Sequence, residues 1–252
     1  MSIVIFAGPS IRRSDAVGTG FEFLPPAAEG DIYRAARQGP RAIALIDGYF
    51  EAQPAVWHKE ILWAMSQGIH VFGASSMGAL RAAELWSFGM VGVGLIFRAY
   101  RCGALIDDAE VAVVHGPAEV GYPALNEALV NVRATLSHAR AQGVLSSSER
   151  RLVLQAAGGV FYKDRTWESI LEAATAIGFD AERAVTLKTW LKTGSVDLKR
   201  RDARLLIHRL MQLREQLDEP LQPTFAFETT SFWQALVDRH DPDAEADLRD
   251  AG

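Results

Sequence analysis

The segment IHVFGASSMGALRAAELWSFGM, residues 69–90, decides the fold that the sequence predicts. Its first four residues form a short apolar run that is typical of a buried strand. The small residues of 73–78 permit a sharp turn, and the good helix formers of 79–85 predict a helix directly after it. Strand, turn and helix in this order are the repeating unit of a parallel α/β sheet.

The rest of residues 1–118 repeats this alternation of apolar runs and helical patterns. The predicted strands lie at 3–6, 21–24, 42–46, 69–72 and 111–115, and the predicted helices at 31–37, 54–67 and 79–85. Continuous apolar runs suit strands that are covered on both faces of a sheet. We therefore expect an N-terminal α/β domain with a parallel sheet at 1–118.

Beyond Pro123 the apolar residues recur at helical spacing instead. Two predicted stripes consist of Leu125, Leu129, Val132 and Leu136, and of Leu206, Leu210, Leu213 and Leu217. Ser146-x-x-Glu149 is a capping box, and Thr166, Asp180 and Asp197 are further predicted caps. These patterns predict an all-helical subdomain at 119–218, followed by an acidic, partly flexible tail at 219–252.

Composition narrows the class of protein. The chain has 252 residues, a net charge of −5 and a single cysteine, Cys102. The charge argues against a dedicated nucleic-acid binder, and one cysteine excludes an intrachain disulfide. No apolar run is long enough for a membrane span, and the N-terminus lacks the basic segment of a signal peptide. We expect a cytoplasmic protein without a membrane anchor.

The turn at 73–78 also carries the strongest chemical signal. Ala74-x-Ser76-x-Gly78 is close to the G-x-S-x-G elbow, which lifts a serine nucleophile clear of a sheet. Small neighbours are needed because bulky ones would clash where the strand turns into the helix. The alternative is that Ser75 or Ser76 only caps the helix.

Further polar turns are expected beside this serine, because ligands bind beyond the carboxyl ends of parallel strands. A serine nucleophile needs a base and donors for the oxyanion. The candidate catalytic residues are Ser76, with His58 or His115 as base and Asp47, Glu51 or Glu60 to orient it. The candidate substrate-binding and oxyanion residues are Gly48, Ser75, Met77, Gly78, Arg81, Glu84, Pro9 and Ser10, with the amides of Met77 and Gly48 as oxyanion donors. No metal ligand is assigned, and no cofactor is expected.

Two of these assignments have alternatives. Arg81 is a candidate for gripping a carboxylate end of a substrate, but it also lies one helical turn from Glu84 and can simply pair with it. Residues 73–78 can instead form an anion cradle at a helix N-terminus, which would bind phosphate. This cradle lacks the lysine of a P-loop.

The helical region contains a basic segment that we expect to bind a protein rather than a nucleic acid. Its residues are Lys188, Lys192, Lys199, Arg200, Arg201, Arg204 and Arg209. Aromatic residues for base stacking are scarce around it, with only Trp190 nearby. The alternative is an ordinary solvated helix surface.

Six motifs in residues 3–115 together resemble the TfuA-like family. They are Phe6-x-Gly8-Pro9, Pro25-Pro26 with Gly30-Asp31-Ile32, Ile46-Asp47-Gly48-x-Phe50, Val56-Trp57-His58-Lys59-Glu60-Ile61-Leu62, Gly73 to Glu84, and Gly89-Met90-x-Gly92-x-Gly94. The resemblance implies an accessory protein of a YcaO enzyme in peptide backbone thioamidation, as in the biosynthesis of ribosomal peptide natural products. Nothing is carried over to the helical half.

The resemblance also implies a role in sulfur delivery. Proteins of this family are associated with release of sulfide from a thiocarboxylated, ubiquitin-like carrier of the ThiS type, which is a hydrolase activity. The implied partners are the YcaO enzyme and this carrier, with the precursor peptide contacted indirectly. The sequence leaves two other functions open, a non-catalytic adapter and a small-anion or nucleotide-binding protein, and it does not predict an oligomeric state.

Overall fold

The computed structural model describes residues 2–51 and 53–241, so residues 242–252 of the predicted tail lie outside the described residues. The strands are β1 (Ile3–Phe6), β2 (Glu22–Leu24), β3 (Ala42–Leu45), β4 (His70–Ala74) and β5 (Val91–Val93). The helices are α1 (Asp31–Arg37), α2 (His58–Ser66), α3 (Met77–Leu85), α4 (Leu95–Arg101), α5 (Leu129–Ala141), α6 (Ser147–Gly159), α7 (Trp167–Ala176), α8 (Ala181–Gly194), α9 (Leu198–Leu213) and α10 (Ser231–His240). None of the helices in this part of the chain combines the length and hydrophobicity needed to cross a bilayer.

All five strands are parallel and form one sheet in the order β2-β1-β3-β4-β5. The predicted α/β class with a parallel sheet is therefore confirmed. From β1 the chain first moves outward to β2 and then returns to the other side of β1 for β3. This change of direction creates a crevice beyond the carboxyl ends of β1 and β3, where open parallel sheets bind their ligands.

Both faces of the sheet are covered, as the apolar runs predict. Alternate residues of a strand point to opposite faces, so Val4 packs with helices α1 to α3 while Ile3 and Ile5 face the other side. That second face is covered mainly by α9, through Leu206 and Leu210 among others. The helix therefore belongs to the core of the sheet although it lies far away in the chain.

The helices α5 to α8 form a second core of their own, with Leu136, Val153 and Ile170 fully buried in it. The predicted capping box at Ser146 and the predicted cap at Asp180 are confirmed, since both side chains accept hydrogen bonds from amides of the first helical turn. The region is thus mainly helical from residue 129 onward, but α9, its last long helix, packs on the sheet rather than within the bundle.

The sequence predicts a strand at 111–115, and this prediction is wrong. A short 3-10 helix at Asp108–Glu110 precedes an irregular segment whose one β-bridge joins His115 to Ala124. Val111 is buried against α4 and α5 rather than in the sheet, so burial alone explains the apolar run. The strand beside β4 at this edge of the sheet is instead β5, in a glycine-rich stretch that carries little strand signal.

Helix α2 begins later than predicted. Its first residue is His58, and Pro54 lies in the loop before it, where its carbonyl accepts a hydrogen bond from the Glu29 amide. The helix starts where Glu60 caps it, since one carboxylate oxygen of Glu60 accepts the Trp57 amide at 3.0 Å. The first polar cap, and not the proline, decides the start of this helix.

Most residues of the predicted basic segment make contacts within the chain. Lys199 is buried, and the Arg200 guanidinium donates two hydrogen bonds to Asp15, at 2.8 and 3.0 Å. Arg204 also pairs with Asp15 at 3.3 Å, and Lys188 pairs with Glu168 at 2.9 Å. Part of the charge therefore fixes α9 to the sheet domain instead of facing a partner.

Candidate active site

A cavity of about 420 Å³ lies beyond the carboxyl ends of β1, β3 and β4. It is lined by Pro9, Asp47, Gly48, Tyr49, Phe50, Glu51, Ser76, Met77, Leu80, Asp108, residues 111–115, Tyr162 and Lys163. One wall thus consists of the turns that follow the strands, and the opposite wall comes from the segment before α5 and the turn after α6. The predicted convergence of polar turns is found here.

Ser76 faces this cavity from the turn between β4 and α3. It occupies the N-cap position of α3, yet its side chain makes no capping hydrogen bond. Among the described residues its hydroxyl has no hydrogen-bond partner at all. The geometry therefore gives no support to a helix-capping role for Ser76 and leaves its hydroxyl free for a ligand.

Ser75 differs from Ser76 in its backbone conformation, and it does not line the cavity. It is fully buried, its backbone is left-handed with φ at +68°, and its hydroxyl has no partner among the described residues. A left-handed serine costs free energy because its Cβ crowds the following carbonyl. This conformation turns the chain sharply enough that Ser76 emerges at the cavity.

Two glycines hold the turn against the sheet. A Cβ on Gly78 would overlap the Leu45 carbonyl oxygen, and a Cβ on Gly73 would overlap the Gly78 carbonyl oxygen. The Gly78 amide donates to the Ile46 carbonyl at 3.2 Å. Helix α3 therefore begins in direct contact with the end of β3, which places Ser76 beside the turn at Asp47.

The two predicted oxyanion donors are both free. Neither the Met77 amide nor the Gly48 amide donates a hydrogen bond to any residue that the structure describes. Their turns also touch, since a Cβ on Gly48 would lie 2.9 Å from the Met77 Cγ. By contrast, the Gly78 amide and the Ala79 amide are already bonded, which leaves an anion cradle at 73–78 with few donors.

Asp47 is buried at the base of the cavity and accepts hydrogen bonds from the turn after β1. Its Oδ2 accepts the amides of Gly8 and Ser10 at 2.8 and 3.1 Å, and its Oδ1 accepts the Ser10 hydroxyl at 2.6 Å. These bonds fix two loops that line the cavity. Ser10 is buried by the same contacts and does not line the cavity itself, whereas Pro9 does.

The buried amine of Lys199 lies beside the cavity wall that residues 111–115 form. The Lys199 Nζ donates to the Val111 carbonyl at 2.8 Å. This hydrogen bond links α9 to the start of the 111–115 segment, which lines the cavity. Burial lowers the pKa of Lys199, and the nearby negative charge of Asp47 acts in the opposite direction. Nothing in the sequence distinguishes this lysine from its exposed basic neighbours.

The structure separates the two candidate histidines. His115 lines the cavity, where its ring packs against Tyr49 and Tyr122 with centroids 5.8 and 5.4 Å away. Its Nδ1 lies 2.9 Å from the Gly116 carbonyl. A carbonyl only accepts, so Nδ1 carries the hydrogen and Nε2 of the neutral ring is left as the basic nitrogen.

His58 does not line the cavity. Its Nε2 lies 2.7 Å from Glu84, which also accepts a hydrogen bond from Arg81 at 2.8 Å. Burial opposes ionisation of Glu84, but the hydrogen bonds from His58 and Arg81 outweigh it and lower the pKa. Arg81 also donates to the Val56 carbonyl, so the three side chains form a closed cluster beside a neighbouring shallow pocket.

Glu60 also lies elsewhere, inside the α/β core. Its carboxylate accepts the Trp57 amide and the Tyr33 amide, and burial raises the pKa of Glu60 to about 7. The glutamate links the starts of two helices. Of the candidate residues, the structure therefore brings together Ser76, Met77, Gly48, Asp47, Glu51, Pro9 and His115, and it places Glu60, His58, Arg81 and Glu84 apart from them.

The sequence-based site misses four cavity residues with titratable side chains, Tyr49, Asp108, Tyr162 and Lys163, as well as the apolar lining residues. Burial, and then the neighbouring Asp107, raises the pKa of Asp108. Tyr162 and Lys163 come from the helical region, and the only sequence signal for them is an aromatic and charged turn after the two glycines that end α6.

A family model described as TfuA-like protein matches residues 47–166. The similarity to the TfuA-like family thus covers just under half of the chain. No curated protein matches the sequence. This similarity supports an accessory role in the TfuA/YcaO system.

The matched region contains every residue that lines the cavity except Pro9. It begins at Asp47, includes Ser76 and His115, and ends just after Tyr162 and Lys163. The first turn of the sheet and helix α9 lie outside the match. The cavity is therefore built mostly within the family's matched region, although helices beyond it support the walls.

Backbone strain is concentrated at the same place. In the described residues three non-glycine residues have left-handed backbones, and they are Glu51, Ser75 and Tyr122. Glu51 lines the cavity, Ser75 precedes Ser76, and Tyr122 packs on His115. Strained residues cluster at functional sites because the surrounding structure must hold them there for a reason other than stability.

Proposed function

We propose that this protein hydrolyses the C-terminal thiocarboxylate of a ThiS-like sulfur carrier and so supplies sulfide to a YcaO enzyme for peptide backbone thioamidation. One observation carries the proposal. The Ser76 hydroxyl is unbonded within the described residues and faces a cavity that also contains two unbonded amides and His115. A nucleophile, oxyanion donors and a base are what acyl transfer to a serine requires.

The first step forms an ester and releases sulfide. The Ser76 oxygen attacks the thiocarboxylate carbon while the His115 Nε2 takes the hydroxyl proton. The Met77 and Gly48 amides donate to the oxygen that becomes negative. The carbon–sulfur bond then breaks, and sulfide leaves with the proton from His115, so that one hydrosulfide ion is formed for each ester.

The second step frees the carrier. Water attacks the ester carbon, His115 takes a proton from it, and the same two amides stabilise the negative oxygen. The bond to the Ser76 oxygen breaks and the proton returns to that oxygen. In sum, thiocarboxylate and water give carboxylate, hydrosulfide and one proton, and no oxidant or cofactor is consumed.

The roles of the other cavity residues follow from their contacts. His115 is the proposed base instead of His58, because only His115 lines the same cavity as Ser76. Asp47 is proposed to hold the loops rather than to orient the base, since its carboxylate is occupied by Gly8 and Ser10. The proposed setting is the cytoplasm, which suits the free, exposed Cys102.

The experiment is to incubate the purified protein with thiocarboxylated carrier in the absence of the YcaO enzyme. Sulfide release, with conversion of the carrier to its carboxylate form, is the expected result. If sulfide appears only when the YcaO enzyme is added, the protein is an adapter without chemistry of its own. Binding of a nucleotide in a calorimetric titration, without sulfide release, would instead support a nucleotide-binding function.

A further inference from the structure

The mouth of the cavity is crossed by an ion pair between its two walls. The Lys163 Nζ lies 2.8 Å from the Glu51 Oε2, and both side chains are about half exposed, at 47% and 49%. The Tyr162 hydroxyl donates to the same Oε2, also at 2.8 Å. Exposed ion pairs of this kind contribute little to stability, so this contact can open at small cost.

Glu51 is held in a conformation that a glutamate avoids. Its φ is +61°, in the left-handed region that favours glycine. The ion pair is too exposed to repay this strain by stabilising the fold. A strained, charged residue at the mouth of a cavity therefore suggests that its side chain has a function there.

An anion that enters this cavity meets an unfavourable charge balance. Asp47, Glu51 and Asp108 line the cavity, and Lys163 is the one lysine or arginine among the lining residues that the structure describes. Arg81, the predicted anion-binding residue, lies outside and is occupied by Val56 and Glu84. An anionic ligand thus depends on the charge of Lys163, which Glu51 already uses.

We infer that Lys163 exchanges its partner when substrate binds. Its ammonium group breaks the ion pair with Glu51 and pairs instead with the negatively charged terminal group of the carrier. The inference rests on the proposed function, since it names the residue that recognises the thiocarboxylate. Tyr162 keeps its hydrogen bond to Glu51, so the glutamate is not left without a donor. In the free protein the same glutamate acts as a competitor for the substrate's binding site.

The two partners of the pair should therefore respond oppositely to neutral substitution. We expect Lys163→Gln to weaken carrier binding about tenfold, the effect of one lost charge-assisted contact. Glu51→Gln removes the competitor and should strengthen binding. Lys188→Gln is the matched control, because it breaks another exposed lysine–glutamate pair, with Glu168, among helices that do not line the cavity.

Binding is measured by titration of the Ser76→Ala protein, into which each substitution is introduced, so that no turnover occurs. The probes are the carrier ending in a thiocarboxylate, in a carboxylate and in a neutral amide. Lys163→Gln should weaken binding of the two charged forms and leave the amide unchanged. An equal loss of affinity for all three forms, or weaker binding after Glu51→Gln, would overturn the inference. The ion pair would then have only a structural role.

These results are separable from those for the proposed function. Hydrolysis is judged from sulfide release by the unsubstituted enzyme, whereas anion recognition is judged from binding alone. A protein that distinguishes charged from neutral carrier through Lys163 but releases no sulfide would contradict the hydrolase proposal and retain the inference. Sulfide release with no effect of Lys163→Gln on binding would contradict the inference and retain the hydrolase proposal.

Discussion

At the scale of single residues, the two adjacent serines of the β4–α3 turn should respond differently to substitution. Ser76→Ala removes the proposed nucleophile, and loss of a nucleophile that acts together with its base costs on the order of 10⁶ in rate. Sulfide release should therefore fall to background while the melting temperature changes little, because the hydroxyl makes no capping bond.

Ser75→Gly is the matched control for that substitution. Glycine adopts the left-handed backbone of this position without the Cβ penalty, and the lost hydroxyl has no partner among the described residues. We expect nearly full activity and unchanged or higher stability. Near-normal sulfide release by the Ser76→Ala protein would contradict the nucleophile assignment.

Glu60 should make stability depend on pH in an unusual direction. Burial raises its pKa in the folded protein from 4.5 to about 7, so the folded state holds a proton that the unfolded state releases. The contribution of this group to stability is greatest below pH 4.5 and is lost progressively as the pH rises to about 7. Above that range it is constant.

A Glu60→Gln variant tests this dependence because glutamine does not titrate. Its side chain also loses one of the two acceptors for the Trp57 and Tyr33 amides, so it should be less stable by about 1 to 3 kcal/mol. The difference in melting temperature between wild type and variant should grow as the pH is lowered from 8 towards 5. A constant difference would show that Glu60 has an ordinary pKa.

At the scale of elements, two glycine-to-alanine substitutions in helices should have opposite effects. A Cβ on Gly78, in α3, would overlap backbone atoms of Leu45, which no side-chain movement relieves. We expect a loss of about 3 kcal/mol in the free energy of unfolding and a marked loss of activity as Ser76 moves. Gly158, in α6, has open space around it, so alanine should add about 0.5 to 1 kcal/mol.

Urea denaturation of both variants measures these differences. Equal destabilisation by the two substitutions would mean that loss of glycine's flexibility, and not contact with β3, explains the effect at Gly78. Preserved activity in a destabilised Gly78→Ala protein would show that the position of Ser76 tolerates displacement of α3.

The elements also show what the sequence can and cannot predict. Strands β1, β3 and β4 are recognisable because buried parallel strands are continuous apolar runs, and the Ser146 and Asp180 caps because capping is local chemistry. The segment at 111–115 has the same apolar character as those strands, and only tertiary contacts with α4 and α5 distinguish it. The residues of the site likewise divide into those with a local sequence pattern and those placed by tertiary contacts. Ser76 and Gly48 lie in turns with such patterns, whereas Lys163 reaches the cavity only through packing of the helical region.

At the scale of the whole molecule, the predicted domain boundary at residue 118 has a testable consequence. A fragment of residues 1–118 lacks α9, which covers the face of the sheet that contains Ile3, Ile5 and Phe72. We expect this fragment to be unfolded or aggregated, because parallel sheets need cover on both faces. Circular dichroism and analytical ultracentrifugation, with the full chain as control, provide the measurement. A monomeric fragment with a cooperative unfolding transition would instead establish 1–118 as an autonomous domain.

The position of α9 in the chain also has a consequence during synthesis on the ribosome. Roughly a hundred residues separate the last strand from the helix that covers the sheet, and ribosomes add about 5 to 20 residues per second. The nascent sheet therefore spends about 5 to 20 s with one apolar face open to the surrounding solution. During that interval the unfinished chain is a natural client for chaperones that bind exposed apolar surface, and its yield should depend on them more than its final stability suggests.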